Sequence, residues 1–137
     1  MVRAEVISKR LHKLDEYLSI LEGLRSYSYD EFVSNPEHYG SAERFLQLSI
    51  EAVSDIGSHI IADMELGEIS WHRDIPEIFA RKNYIDSALA EKWVRMIGFR
   101  NILVHDYLDI DRHAVFDVLQ NKLTDFQELK VVFAQFL

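Results

Sequence analysis

The sequence predicts an all-α fold, an up-and-down bundle of four long helices with one or two short ones, on three observations. Apolar residues recur at alternating spacings of three and four along most of the chain, the period of one helical face. No segment combines strand-like alternation with a hairpin turn. Only two prolines interrupt 137 residues, of which 48% are hydrophobic, enough for one domain, residues 1–137, with a single buried core.

Each element has its own signal. The first stripe is Ile7, Leu11, Leu14, Leu18 and Leu21; Gly23 and the polar run Ser26 to Asp30 mark its end. A short helical turn is expected at Tyr29 to Val33. Asn35-Pro36 reads as an N-cap with proline at the first helical position. It opens a long helix to about Met64, with Ala42, Leu46, Ile50, Val53, Ile56 and Ile60 on its apolar side. Glu65 to Arg73 is a connector. Asp74-Ile75-Pro76 starts a short helix to about Arg81, and Asp86-Ser87 starts the next, carrying Leu89, Trp93, Met96, Ile97 and Ile102. The acidic Asp109-Ile110-Asp111 suits the N-terminus of a last helix. In that helix Val115, Leu119, Leu123, Phe126, Leu129, Phe133 and Phe136 repeat to the C-terminus. Leu11, Leu18, Ile50, Val53, Ile56, Trp93 and Leu119 are expected to be buried. Trp93, Phe99, Phe116, Phe126, Phe133 and Phe136 are read as core or dimer interface.

Composition narrows the chemistry. The chain has no cysteine, so disulfides, thiolate nucleophiles and sulfur-ligated zinc are excluded. Met1 to Leu18 alternates charged and apolar residues, unlike a signal peptide. Nowhere do about 18 apolar residues run together, so no membrane helix is expected. A soluble, cytoplasmic protein fits these features. The net charge of −8, from 23 acidic and 15 basic residues, is the opposite of a broad nucleic-acid-binding face. RNA could be engaged only through a local basic site. Five glycines form neither a phosphate loop nor a nucleophile elbow.

The sharpest chemical feature is Arg100-Asn101-Ile102-Leu103-Val104-His105-Asp106-Tyr107. Imidazole is the usual acid–base group near neutral pH, and guanidinium clamps phosphate oxygens. Together they are what phosphodiester cleavage of RNA without a metal requires. At about 100° per residue, Arg100 and Tyr107 share a face, whereas His105 lies about 140° round from Arg100. One copy does not aim both groups at one atom; two copies across a symmetric interface could. On spacing alone, a surface cation and a capped or packed histidine are the preferred reading of the pair.

A second feature is a polar stripe on the long helix after Pro36: Arg44, Gln47, Glu51, Asp55 and His59. It reads either as a solvated face of ion pairs or as a cleft wall in which Glu51 or Asp55 orients Arg100 or His105. The six histidines, at 12, 38, 59, 72, 105 and 113, lack the Glu-x-x-His repeats of a di-iron bundle. The pairs Asp55–His59 and Asp109–His113 are read as surface coincidences, so no metal and no cofactor is assigned.

The Arg100–Tyr107 string resembles the Arg-x4-His-x-Tyr signature of the HepT family of HEPN domains, including its Arg-Asn opening. Ala42-Glu43-Arg44-Phe45-Leu46-Gln47, Ile50-Glu51-Ala52, Val53 to Ile60 and Met96-Ile97-Gly98-Phe99 are similar to that family as well. The resemblance implies a HEPN-type bundle that forms a homodimer. In it, two copies of the segment would face one another in a cleft that cuts RNA, whether tRNA or mRNA, without metal. Carried over, Arg100 and His105 are catalytic and Asn101 supporting; Asp106, next to His105, is read as supporting too, and the cleft-wall reading of the polar stripe makes Arg44, Glu51 and Asp55 possible cleft wall. The family also implies a toxin–antitoxin pair, with a minimal nucleotidyltransferase (MNT) antitoxin that AMPylates the signature tyrosine, here Tyr107. The alternative is a catalytically idle HEPN module that dimerises and holds a partner nucleotidyltransferase or its substrate.

Overall fold

A 28-residue helix through the middle of the molecule organises everything else. The computed structural model describes all 137 residues. It contains seven α-helices: α1 Ala4–Leu24, α2 Tyr29–Ser34, α3 Pro36–Asp63, α4 Asp74–Arg81, α5 Ser87–His105, α6 Arg112–Asn121 and α7 Leu123–Ala134. A 3₁₀ turn, Tyr107–Asp109, links α5 to α6. At 1.5 Å per residue α3 is about 42 Å long, and it packs against all six other helices.

The caps explain where these helices begin. Ser28 and Glu31 form a reciprocal capping box at α2. The Asn35 side chain accepts from the Glu37 N–H at 2.9 Å, with Pro36 in the first turn. Asp86 accepts from Leu89 N–H at 2.8 Å to start α5, and Asp111 from His113 N–H at 2.9 Å to start α6. No helix is long and apolar enough to cross a membrane.

The core matches the stripes with one shift. Leu18, Ile50, Val53, Ile56, Trp93 and Leu119 are buried, whereas Leu11 is half-buried. Around α1, Leu11 stands about 40° from Ile7, while Leu14, Leu18 and Leu21 fall nearer to Ile7 or on its other side. Leu11 therefore packs on the margin of the core. Trp93, Phe126 and Phe133 are buried; Phe99, Phe116 and Phe136 are partly buried against them.

The final apolar stripe belongs to two helices rather than one. The chain breaks at Lys122, where ψ is 6° and the Lys122 N–H still bonds the Val118 carbonyl. The stripe keeps its helical period across the break, so Leu119 and Leu123 both face inward. The bend lets α6 cover α2 and α3 while α7 turns onto α5.

Gly57 is where α4 and α5 close onto α3. A Cβ there would lie 2.7 Å from Ile75 Cγ2 and 2.9 Å from Trp93 Cη2, both in buried, rigid side chains. Gly40, on the same helix, has open space around it. Gly57→Ala should destabilise the fold, because overpacking costs about 1–3 kcal/mol against about 1 kcal/mol of helix propensity gained. Gly40→Ala should stabilise it by about 0.5–1 kcal/mol. Urea unfolding of the two variants checks the opposite signs.

Candidate active site

The second half of α5 leaves the core. Leu89, Trp93, Met96 and Ile97 are buried, but beyond Ile97 only Leu103 is. Gly98, Asn101, Ile102 and His105 are exposed, as are Asp106 to Asp109. The signature segment thus lies along an uncovered helix end.

Arg100 points back towards α3. Its Nε and Nη2 donate to one oxygen of Glu51, Oε2, at 3.0 and 2.8 Å. Its Nη1 donates to Asn101 Oδ1 at 3.3 Å. Gln47 Nε2 lies 3.4 and 3.5 Å from the two Glu51 oxygens, one turn earlier on α3. The arginine and glutamate side chains are 24% and 34% exposed, so the pair is half-wet and its guanidinium remains reachable. Such an arrangement fixes the direction of a cation without burying it.

The rest of the polar stripe serves other partners. Asp55 pairs with Arg10 of α1 and lies 3.7 Å from His59 Nε2. Asp63 binds Arg3 through Nε and Nη2, both at 3.2 Å, and the Arg3 hydrogen bonds hold its carboxyl below the usual range. Arg44 is exposed and makes no ion pair. Of the expected cleft-wall residues, then, Glu51 meets Arg100, while Asp55 and Arg44 do not.

His105 is the last residue of α5. It is exposed, and neither ring nitrogen meets a partner within the chain. Asp106 caps the helix through its N–H on the Ile102 carbonyl at 2.9 Å, leaving its carboxylate unpaired. Tyr107 stands on the 3₁₀ turn, 66% exposed and without a hydrogen-bond partner for its hydroxyl. The segment therefore offers one anchored cation, one free imidazole and one free phenol, with Ile102 and Leu108 as exposed apolar neighbours. Within a single chain Arg100 and His105 do not converge. No three His, Asp or Glu side chains are placed to hold a metal ion, and His113 stacks on Tyr29 at 4.1 Å.

Arg100 also separates two hollows. A groove of about 600 Å³ between α1, α3 and α5 includes Arg10, Tyr17, Glu51, Asp55 and Arg100. A second, of about 650 Å³, lies between α5 and the connector and includes Trp71, Arg73 and Arg100. Sequence periodicity gave no sign of the second, because its outer wall is the aperiodic connector.

The sequence model of HepT-like ribonucleases matches residues 11–132. The chain belongs to the HepT-like ribonuclease family. It is 30% identical to the tRNA nuclease HepT of Aphanizomenon flos-aquae over 121 residues, 88% of this chain and 82% of that one. Against the mRNA nuclease HepT of Shewanella oneidensis it is 37% identical over 83 residues, 61% of this chain and 62% of that protein. The fold superposes with a TM-score of 0.88 on a solved structure of the tri-AMPylated Shewanella oneidensis HEPN toxin in complex with its MNT antitoxin. The match has 27% identity and covers 95% of this chain and 97% of that one.

The half-exposed Arg100–Glu51 pair should contribute little to stability. Glu51→Gln is expected to change the unfolding free energy by less than about 1 kcal/mol. It should nevertheless speed solvent exchange of the Arg100 Nε–H, measured by nitrogen-15 NMR, because the charged acceptor is gone.

Proposed function

We propose that this HepT-like chain is a metal-independent endoribonuclease, the toxin of a HEPN/MNT pair, acting as a homodimer at Arg100 and His105. The observation that carries this reading is the uncovered end of α5, where Glu51 aims Arg100 and leaves the His105 imidazole free. The naming of two relatives as RNA nucleases supports it.

The geometry of the segment supports dimerisation. Ile102 and Leu108 are 46% and 83% exposed beside His105, apolar surface that an isologous contact would cover. That contact brings a second His105 to the site. One imidazole takes the proton of the 2′-hydroxyl as its oxygen attacks phosphorus. The other donates a proton to the 5′-oxygen as the P–O5′ bond breaks. Arg100 neutralises the charge gathering on the phosphoryl oxygens. The products are a 2′,3′-cyclic phosphate and a 5′-hydroxyl.

Regulation is assigned to Tyr107. Its exposed phenol is open to a nucleotidyltransferase, and the neighbouring HEPN toxin is tri-AMPylated in complex with its MNT antitoxin. The phenol oxygen would attack the α-phosphate of ATP and expel pyrophosphate. The added AMP places an anion where the RNA phosphate has to bind.

The idle-module reading has two observations in its favour. Two of the Arg100 nitrogens are already committed to Glu51 in the single chain, and the chain carries a net charge of −8.

RNA cleavage decides between them. His105→Ala and Arg100→Ala should each lose about 10²- to 10⁴-fold in rate while remaining folded by circular dichroism. Wild-type cleavage should continue in EDTA. Loss of activity in EDTA, or full activity in His105→Ala, would overturn the mechanism. Tyr107→Phe should keep cutting RNA when co-expressed with the cognate nucleotidyltransferase, and intact mass should show AMP on wild type alone.

A further inference from the structure

The cleft between α5 and the connector 64–73 has a composition at odds with the rest of the chain. Trp71, His72, Arg73, Gly98, Arg100 and Asn101 line it, with no Asp or Glu among its walls. The protein carries 23 acidic residues, and the groove on the other side of Arg100 contains Glu51 and Asp55. Arg73 makes no ion pair within 4 Å; its charge acts on the neighbouring Asp74 carboxylate through space, which leaves its guanidinium nitrogens free to bind. At about 650 Å³ the cleft falls within the range of about 300–1,000 Å³ typical of ligand sites.

Trp71 supplies the second observation. Its residue surface is 71% exposed, whereas the other tryptophan, Trp93, is fully buried. Its backbone, by contrast, is pinned. One Asp74 oxygen accepts the N–H groups of Ser70 and Trp71 at 2.9 and 2.8 Å, and the Asp74 N–H returns a bond to the Trp71 carbonyl at 2.9 Å. The Trp71 and Ser70 amides hold the Asp74 carboxyl below its ordinary range, so the clamp is ionised at neutral pH. A bare indole on a fixed backbone loses little freedom when a flat partner covers it. A nucleobase is such a partner, and the phosphate of its nucleotide suits the unpaired guanidinium of Arg73 beside it.

Resting on the ribonuclease reading above, we propose that Trp71 is a base-stacking platform for the RNA substrate. An unpaired base next to the cleavage position lies on its indole, and Arg73 takes a neighbouring phosphate. The substrate presented to this cleft is therefore single-stranded or splayed out of a loop, because a base within a duplex cannot offer its face.

The test uses the His105→Ala protein, so that RNA stays intact, and two probes. One is a short single-stranded RNA of mixed sequence; the other is an oligomer of the same charge without bases. Binding is read by anisotropy and by tryptophan emission, with Trp71→Phe giving the Trp93 background. RNA should quench the Trp71 emission. Trp71→Ala should weaken RNA binding about 5- to 150-fold, the range for losing one stacked base, and Trp71→Phe should recover most of it. Binding of the abasic oligomer should not depend on Trp71, whereas Arg73→Ala should weaken both probes.

Unchanged RNA affinity in Trp71→Ala, or an equal loss for the abasic oligomer, would overturn the platform. So would a variant that binds RNA normally but no longer binds the nucleotidyltransferase, which would make Trp71 a protein contact. If His105-dependent cleavage persists while Trp71 is neutral, the platform falls and the ribonuclease stands. If no form binds or cuts RNA, both fall.

Discussion

The burial of α3 against every other helix is the constraint on which the rest of the molecule depends. A helix surrounded in this way must be apolar over a wide arc, and α3 buries Leu46, Ile50, Val53, Ile56, Ile60 and Ile61 across it. What remains is a narrow polar strip, and that strip is where charge can be placed without cost to the core. Glu51, Asp55, His59 and Asp63 occupy it at four-residue steps; Glu51 reaches Arg100, Asp55 reaches Arg10 and His59, and His59 and Asp63 share Arg3. Gly57 adds a positional constraint. Ile75 and Trp93 approach its backbone too closely for any side chain there, so α5 sits at a set height against α3. The Arg100–Glu51 pairing inherits its register from that contact.

The electrostatics of the site follow from the same division. An acidic chain repels RNA at long range, and screening shortens that field to about 8–10 Å. Local sign then matters more than net charge. Glu51 is the carboxylate that meets Arg100 directly, and it spends its charge on the guanidinium rather than on the approach. On the opposite side of the arginine the walls are cationic, aromatic or neutral. An anion is thus favoured from one direction, a polarity that composition alone would not suggest.

Much of the fold was legible because helices announce themselves twice, by stripe and by cap. Asn35, Asp86 and Asp111 each cap as their side chains suggest. The bend at Lys122 was not legible, since a stripe that keeps its period through a break looks continuous. The half-burial of Leu11 was a matter of angle that spacing alone blurs. At the candidate site, a Glu51–Arg100 contact was one of several pairings open to the polar stripe. Which carboxylate wins depends on the height of α5, a tertiary quantity. Trp71 was invisible because a connector has no period against which an aromatic residue stands out.

The 3₁₀ turn Tyr107–Asp109 buries none of its residues and is closed by one backbone bond, from the Asp109 N–H to the Asp106 carbonyl at 2.9 Å. Peeling such a turn away exposes no core and sacrifices about 0.5–1.5 kcal/mol of net hydrogen bonding. α5 and α6 have their own terminal anchors at Asp106 and Asp111, so neither needs to unwind. A modifying enzyme that must draw a phenol into its own cavity would meet, in this segment, a tether that yields locally while the bundle stays whole.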